Sequence, residues 1–154
     1  MIFTAVIEQT CACPKRMKYD AQSGTFRETE YDSLFFVRGV RQPYGWIKES
    51  GAPGGAHLDV IVLAQPGREY RLGDEVRVCI AGGFRRRDGD NKLVGVPEDR
   101  PFSELCALPK TERDDLDRLY PQKVSGEGWF GREEAEAVID AFFKGRKHSG
   151  CAGG

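Results

Sequence analysis

The stretch GGAHLDVIVLAQPG, Gly54 to Gly67, sets one carboxylate, Asp59, at the mouth of an apolar run between two turns. A carboxylate there can help hold a divalent cation or simply begin a buried strand, and one alone makes a poor site because hard cations take several oxygens. His57 could add a nitrogen ligand, which would favour Zn²⁺ or Mn²⁺ over Mg²⁺, or it could stand solvated on a loop. Arg85 to Lys92, RRRDGDNK, reads either as an exposed hairpin tip turning on Asp-Gly or as an anion clamp. Cys11 and Cys13 could join His148 and Cys151 in a soft-metal site, although C-x-C is tighter than the usual zinc spacing. The plainer reading is reduced thiols, with Cys79 and Cys106 in the core. The chain has no Walker loop, no dinucleotide fingerprint and no HExxH or Ser-His-Asp arrangement.

The elements that must carry these residues are mostly short and β-like. IFTAVIE, LFFVRG, LDVIVLA, DEVRVCIAGGF and NKLVGVP are rich in Val, Ile and Phe and are mostly bounded by Gly, Pro or Asp. Their spacing predicts a small closed five-stranded barrel. The period then changes. Ala135, Val138, Ile139, Phe142 and Phe143 recur at helical spacing between Gly131 and Lys147, with acids in the first turn and bases in the last. PKTERDDLDRLYP predicts a second helix with Leu116, Leu119 and Tyr120 as its buried stripe. The expected architecture is α+β, a barrel with about two helices packed outside it.

At 154 residues the chain suits one domain, expected over 1–147, with a flexible tail over 148–154. The 23 basic and 24 acidic residues balance, which argues against a nucleic-acid binder or a membrane-surface protein. The apolar run of MIFTAVIEQT is too short for a signal peptide, and five cysteines at irregular spacing argue against a secreted disulfide framework. A soluble cytoplasmic protein is the expectation.

Several segments resemble, in order and over nearly the whole chain, the soluble family I inorganic pyrophosphatases. AVIEQT followed by KRMKYDAQSGTF is similar to that family's strand Glu and Lys-Tyr-Glu segment before a Ser-Gly turn. QPYGWI resembles its Tyr-Gly-Tyr, LDVIVL the end of its Asp-x-Asp-Pro-x-Asp-Val signature, and LGDEVRVCIAGGFRRRDGDNKLVGVP its long strand and acidic loop. GEGWFGREEAEAVIDAFF resembles its final Gly-Trp and helix. The resemblance implies the pyrophosphatase fold, an OB-like barrel, and divalent-metal-dependent hydrolysis of diphosphate, with a homo-hexamer as the bacterial assembly. By resemblance Glu8, Asp20, Asp59, Asp88 and Asp90 hold metal, Mg²⁺ or else Mn²⁺ or Zn²⁺. Lys18, Tyr44, Lys92 and Tyr120 hold phosphate and, with Asp59, carry the catalysis.

The departures are equally specific. The signature's first two Asp positions fall on Gly54 and Ala56, and its Pro on His57. A phosphate-clamping Arg falls on Glu30, a Tyr near Val40 and a late Lys on Pro121. Arg38 and Arg41 flank the slot of that missing Tyr and could compensate, since Arg grips phosphate bidentately. Two readings stay open. The chain is a diverged hydrolase of diphosphate or an organic diphosphate, or it is a repurposed fold that binds another phosphorylated ligand or a partner.

Overall fold

The computed structural model describes the backbone of residues 1–153 and the side chains through Arg146. In chain order the strands are β1 (Ile2–Gln9), β2 (Lys15–Asp20), β3 (Thr25–Asp32), β4 (Tyr44–Ile47), β5 (Asp59–Val62), β6 (Glu75–Arg85), β7 (Lys92–Pro97) and β8 (Gly128–Gly131). The helices are α1 (Leu34–Val37), α2 (Lys110–Asp117) and α3 (Arg132–Gly153). Strands pair in the order β1-β4-β5-β7-β6-β8, and a further β1–β6 pairing closes the first five into a barrel with β8 appended to β6. Only β5–β7 is parallel among these pairings. β2 and β3 form a separate hairpin. The α+β barrel expected from the sequence is the fold observed.

Alternation along each strand divides the apolar residues between two clusters. Ala5, Ile7, Ile47, Val60, Val62, Val78, Ile80 and Leu93 fill the barrel, and Ala135 and Ile139 of α3 pack onto them. The outer face carries Ile61, Leu63, Val94 and Val96, which Leu116 and Leu119 of α2 and its exit cover. Both helical stripes are therefore where the 3.6 period put them.

Three expectations need correction. LFFVRG is not a strand. Ser33 caps Leu34–Val37 as a helical turn, its Oγ accepting from the Phe36 N–H, and Gly39 ends the turn at φ 64°. Leu34, Phe36 and Val37 are exposed, so the apolar run does not fill a core. Cys106 is exposed, and Cys79 is only partly buried. The strands β2 and β3 were missed because KRMKYD and TFRETEYD are polar on most of both faces. The tail expected from His148, and the soft-metal site needing His148 and Cys151, lie outside the described side chains. Among the described residues no helix is long and apolar enough to cross a membrane.

Candidate functional site

The sheet register sets five side chains abreast on the outer face. Trp46 lies opposite Asp59, Asp59 opposite Lys92, Lys92 opposite Phe84, and Phe84 opposite Trp129. Directly paired residues share a face, so one acid and one base stand between aromatics. The Lys92 ammonium donates to Asp59 Oδ2 at 2.8 Å, Asp90 Oδ2 at 2.9 Å and the Tyr44 hydroxyl at 3.1 Å. An ammonium has three protons, and all three are committed. The side chains of Lys92 and Asp59 are 9% and 11% exposed, so removing either strands a desolvated charge.

The other oxygen of Asp59, Oδ1, lies 3.0 Å from His57 Nε2, while His57 Nδ1 lies 2.8 Å from the Gly55 carbonyl. Asp59 Oδ1 can only accept, so the Asp59 contact uses a proton on His57 Nε2 rather than a lone pair.

Glu8 sits at the register shift between Ile7 and Gln9 of β1. Burial first, and the Asp59 carboxylate second, push it up to about 7, against His57, Arg16 and Lys92. Burial, with Asp59 and Glu8 beside it, also raises Tyr44 well above an ordinary phenol. Tyr120 stacks on Phe84 at 3.8 Å with planes 2° apart, and Trp129 meets both edge-on. Burial pushes Tyr120 up to about 12, opposed by Arg86 and reinforced by Asp90 and Asp59. Both tyrosines therefore remain neutral hydroxyls at physiological pH.

Of the residues expected in the site, Glu8, Tyr44, Asp59, Asp90, Lys92 and Tyr120 share one electrostatic neighbourhood. Lys18 projects from the β2–β3 hairpin beside its direct partner Arg27 and on the face of Arg16. Asp88 is further out, ion-paired to Arg86 at 3.2 Å and accepting from the Asp90 N–H. Asp20 is taken up by the hairpin turn, accepting from the Gln22 N–H and the Ser23 hydroxyl, and the Ser23 bond above all lowers its carboxyl. Arg38 donates to the Leu119 carbonyl. Arg41 uses its N–H on Asp115, and its side chain is exposed. Glu49, just before the loop that carries Gly54 and Ala56, is tied away from the site and accepts from the Thr4 N–H and hydroxyl.

Sequence reasoning passed over Arg16, and it left Arg86 with its neighbours as an exposed hairpin tip or an anion clamp. Arg16 acts on Glu8, and Arg86 reaches Asp88 and Asp90. Counting by twos from Lys18 and from Phe84 would have found both, because alternate positions share a face.

The donor set decides what cation would fit. Gly54 and Ala56 are exposed on the loop and supply no carboxylate. Gly54 has φ 100°, so restoring an Asp there would strain the backbone. Among the described residues no three His, Cys, Asp or Glu side chains converge on a metal position. Asp59 and Asp90 nevertheless face one another across Lys92. Mg²⁺ is commonly bound through one or two carboxylates plus waters and phosphate oxygens. The residues fit a cation held in that way and do not form a protein-only cage.

No protein-family model matches the chain. It is 28% identical over 158 residues to an inorganic pyrophosphatase of Streptomyces coelicolor, covering 92% of this chain and 96% of that protein. It superposes on an inorganic pyrophosphatase from Neisseria gonorrhoeae with a TM-score of 0.70 at 21% identity, covering 93% of this chain and 90% of the other. The corresponding protein of Ehrlichia chaffeensis gives 0.69 at 21% identity, with 91% and 92% covered. The chain is thus similar in sequence to the Streptomyces protein over nearly its whole length, and it shares its fold with the two solved structures.

Proposed function

We propose that this relative of the inorganic pyrophosphatases hydrolyses diphosphate or a closely related phosphoanhydride, with a divalent cation. The observation that carries this reading is the Lys92 ammonium held between Asp59, Asp90 and Tyr44 beside the stacked Tyr120. One water enters, one P–O–P link breaks, and two phosphates leave. Lys92, Arg86, Arg16 and Lys18 bring four positive side chains to the phosphoryl oxygens. Tyr44 and Tyr120 donate neutral hydroxyl protons to them. Glu8, pushed up to about 7, is suited to exchange a proton near neutral pH. Asp59 and Asp90 would hold the cation, whose Lewis acidity neutralises the phosphoryl oxygens.

Mg²⁺ is the first metal to test, and a cytoplasmic homo-oligomer is part of the same proposal. The exposed apolar side chains of Tyr31, Leu34, Phe36 and Val37, at the end of β3 and on α1, support an assembly. The alternative of a fold that binds a phosphorylated ligand without hydrolysing it is not favoured, since the relatives named above are pyrophosphatases.

The test is phosphate release from diphosphate by purified protein with Mg²⁺, Mn²⁺ or Zn²⁺, beside Asp59→Ala. Turnover should be clear with at least one metal and fall roughly a hundredfold or more in the variant. No turnover above the variant with any of the three would sink the reading.

A further inference from the structure

The β2–β3 hairpin turns positive charge to one face and apolar rings to the other. Arg16 and Lys18 take exposed positions of β2, while Met17 and Tyr19 turn inward. Lys18 lies directly opposite Arg27 of β3, one rung from the Tyr19–Phe26 pair. Those two rings seat against Trp46, which lies opposite Asp59 in the sheet. Asp59 stands between Trp46 and Lys92 in that row, so the hairpin approaches from the side away from Lys92. Arg16 is close enough to act on Glu8, which sets the basic face at the margin of the candidate site. Side chains directly opposite one another stand about 4.5–5.5 Å apart at Cβ, and like charges there repel. Acids answer neighbouring bases, Lys15 pairing with Asp32 at 2.7 Å and Lys48 with Glu75 at 2.8 Å, but Arg16, Lys18 and Arg27 form no ion pair among the described residues. Asp20, the next exposed position of β2, accepts from the Gln22 N–H and the Ser23 hydroxyl, and those bonds act on it more strongly than Arg27 does.

A planar guanidinium beside an ammonium, with no carboxylate between them, suits an anion that both can grip from one side. We propose that Arg27 is a further phosphate-binding residue, which with Lys18 grips the end of a diphosphate remote from Lys92. An anion lying between the two side chains turns a repelling cross-strand pair into two charge-assisted contacts. Arg27 thereby sets affinity for the doubly phosphorylated ligand. The inference rests on the reading of this pocket as a phosphoanhydride site.

Calorimetric titration of the intact protein with methylenediphosphonate, a non-hydrolysable diphosphate, in Mg²⁺ buffer tests it without turnover. Arg27→Gln should bind at least about tenfold more weakly than the wild type, and Arg27→Lys should recover part of that loss. Lys144→Gln, which removes one exposed positive charge from α3, should stay within about twofold of the wild type. Without diphosphonate, Arg27→Gln should resist urea at least as well as the wild type, since it removes a like-charge pair. The inference is overturned if Arg27→Gln binds within about twofold of the wild type, or no more weakly than Lys144→Gln. Affinity lost together with urea resistance would mark Arg27 as structural and overturn it too, as would a wild type that binds no diphosphonate. Diphosphonate affinity that depends on Arg27, beside absent hydrolysis of diphosphate, would keep this inference and remove the hydrolase reading. Hydrolysis of diphosphate beside unchanged affinity in Arg27→Gln would do the reverse.

Discussion

Two adjacent rows of the same sheet behave as opposites. Trp46, Asp59, Lys92, Phe84 and Trp129 form one; a single residue along each strand, Gly45, Val60, Leu93, Gly83 and Phe130 form the other. The second row faces the barrel interior, where Val60 and Leu93 are 0% and 1% exposed. Its glycines let strands close tightly, since a Cβ on Gly45 would come within 1.8 Å of the Val6 carbonyl oxygen. The first row carries the charges. The pleat alone separates them, so a one-residue slip would bury the Asp59–Lys92 pair in the barrel and push valines outward. The apolar row fixes the register, and the charged row uses it.

The largest way to break that contrast is to empty the interior row. Leu93→Ala should lose about 2–5 kcal/mol of stability in denaturant unfolding, while the protein that remains folded keeps its diphosphate turnover. Turnover lost in proportion to nothing but folded fraction would support the division of labour; a specific loss beyond it would show that the rows are not separable.

A smaller effect is expected from Glu8, whose carboxyl rises from 4.5 to about 7 on folding. The folded state then binds more protons than the unfolded chain between these values, so stability falls as pH rises through the window. The contribution is fully present below pH 4.5 and is lost on passing about 7. Its size is on the order of 3 kcal/mol. Urea titrations from pH 4 to 8 should show that fall in the wild type and its absence in Glu8→Gln. Equal pH profiles would mean that Glu8 is not held neutral by its surroundings.

The smallest effect on stability belongs to Tyr120→Phe. The ring keeps its stack on Phe84, and no described side chain hydrogen-bonds its hydroxyl, so stability should change by less than about 1 kcal/mol. Turnover should fall about tenfold or more if the hydroxyl meets a phosphoryl oxygen. Unchanged turnover would confine Tyr120 to packing.

The charged row was partly legible in the sequence. Asp59 and Lys92 each open a Val-rich run bounded by turn residues and read as a strand, and motif order joined them to Glu8, Tyr44 and Tyr120. The pairing of β5 with β7 was not legible, because strand order in a closed sheet is decided by contacts far apart in sequence. LFFVRG misled because an apolar run alone does not separate a strand from a short capped helix. Arg86 was read as solvent-facing with its neighbours Arg85 and Arg87, although only Arg86 joins Asp88 and Asp90. Arg85 pairs with Glu134, and Arg87 gives its backbone N–H to Glu127. His57 could be read as a ligand or as a solvated loop side chain, because nothing local in the sequence tells which way an imidazole turns.

One buried carboxylate outside the site has a mechanical consequence. Asp115 on α2 accepts from the backbone N–H groups of Arg41 and Gln42 and pairs with Arg118 at 2.5 Å. The segment it grips leads directly into Tyr44, and the helix it sits on leads directly to Tyr120, whose N–H bonds the Asp117 carbonyl. The two hydroxyls are thus indexed to a single side chain, and α2 cannot slide without breaking those bonds. They form the fixed jaw of a caliper. The β2–β3 arm carrying Lys18, a separate two-stranded sheet seated by Tyr19 and Phe26 against Trp46, is its other jaw.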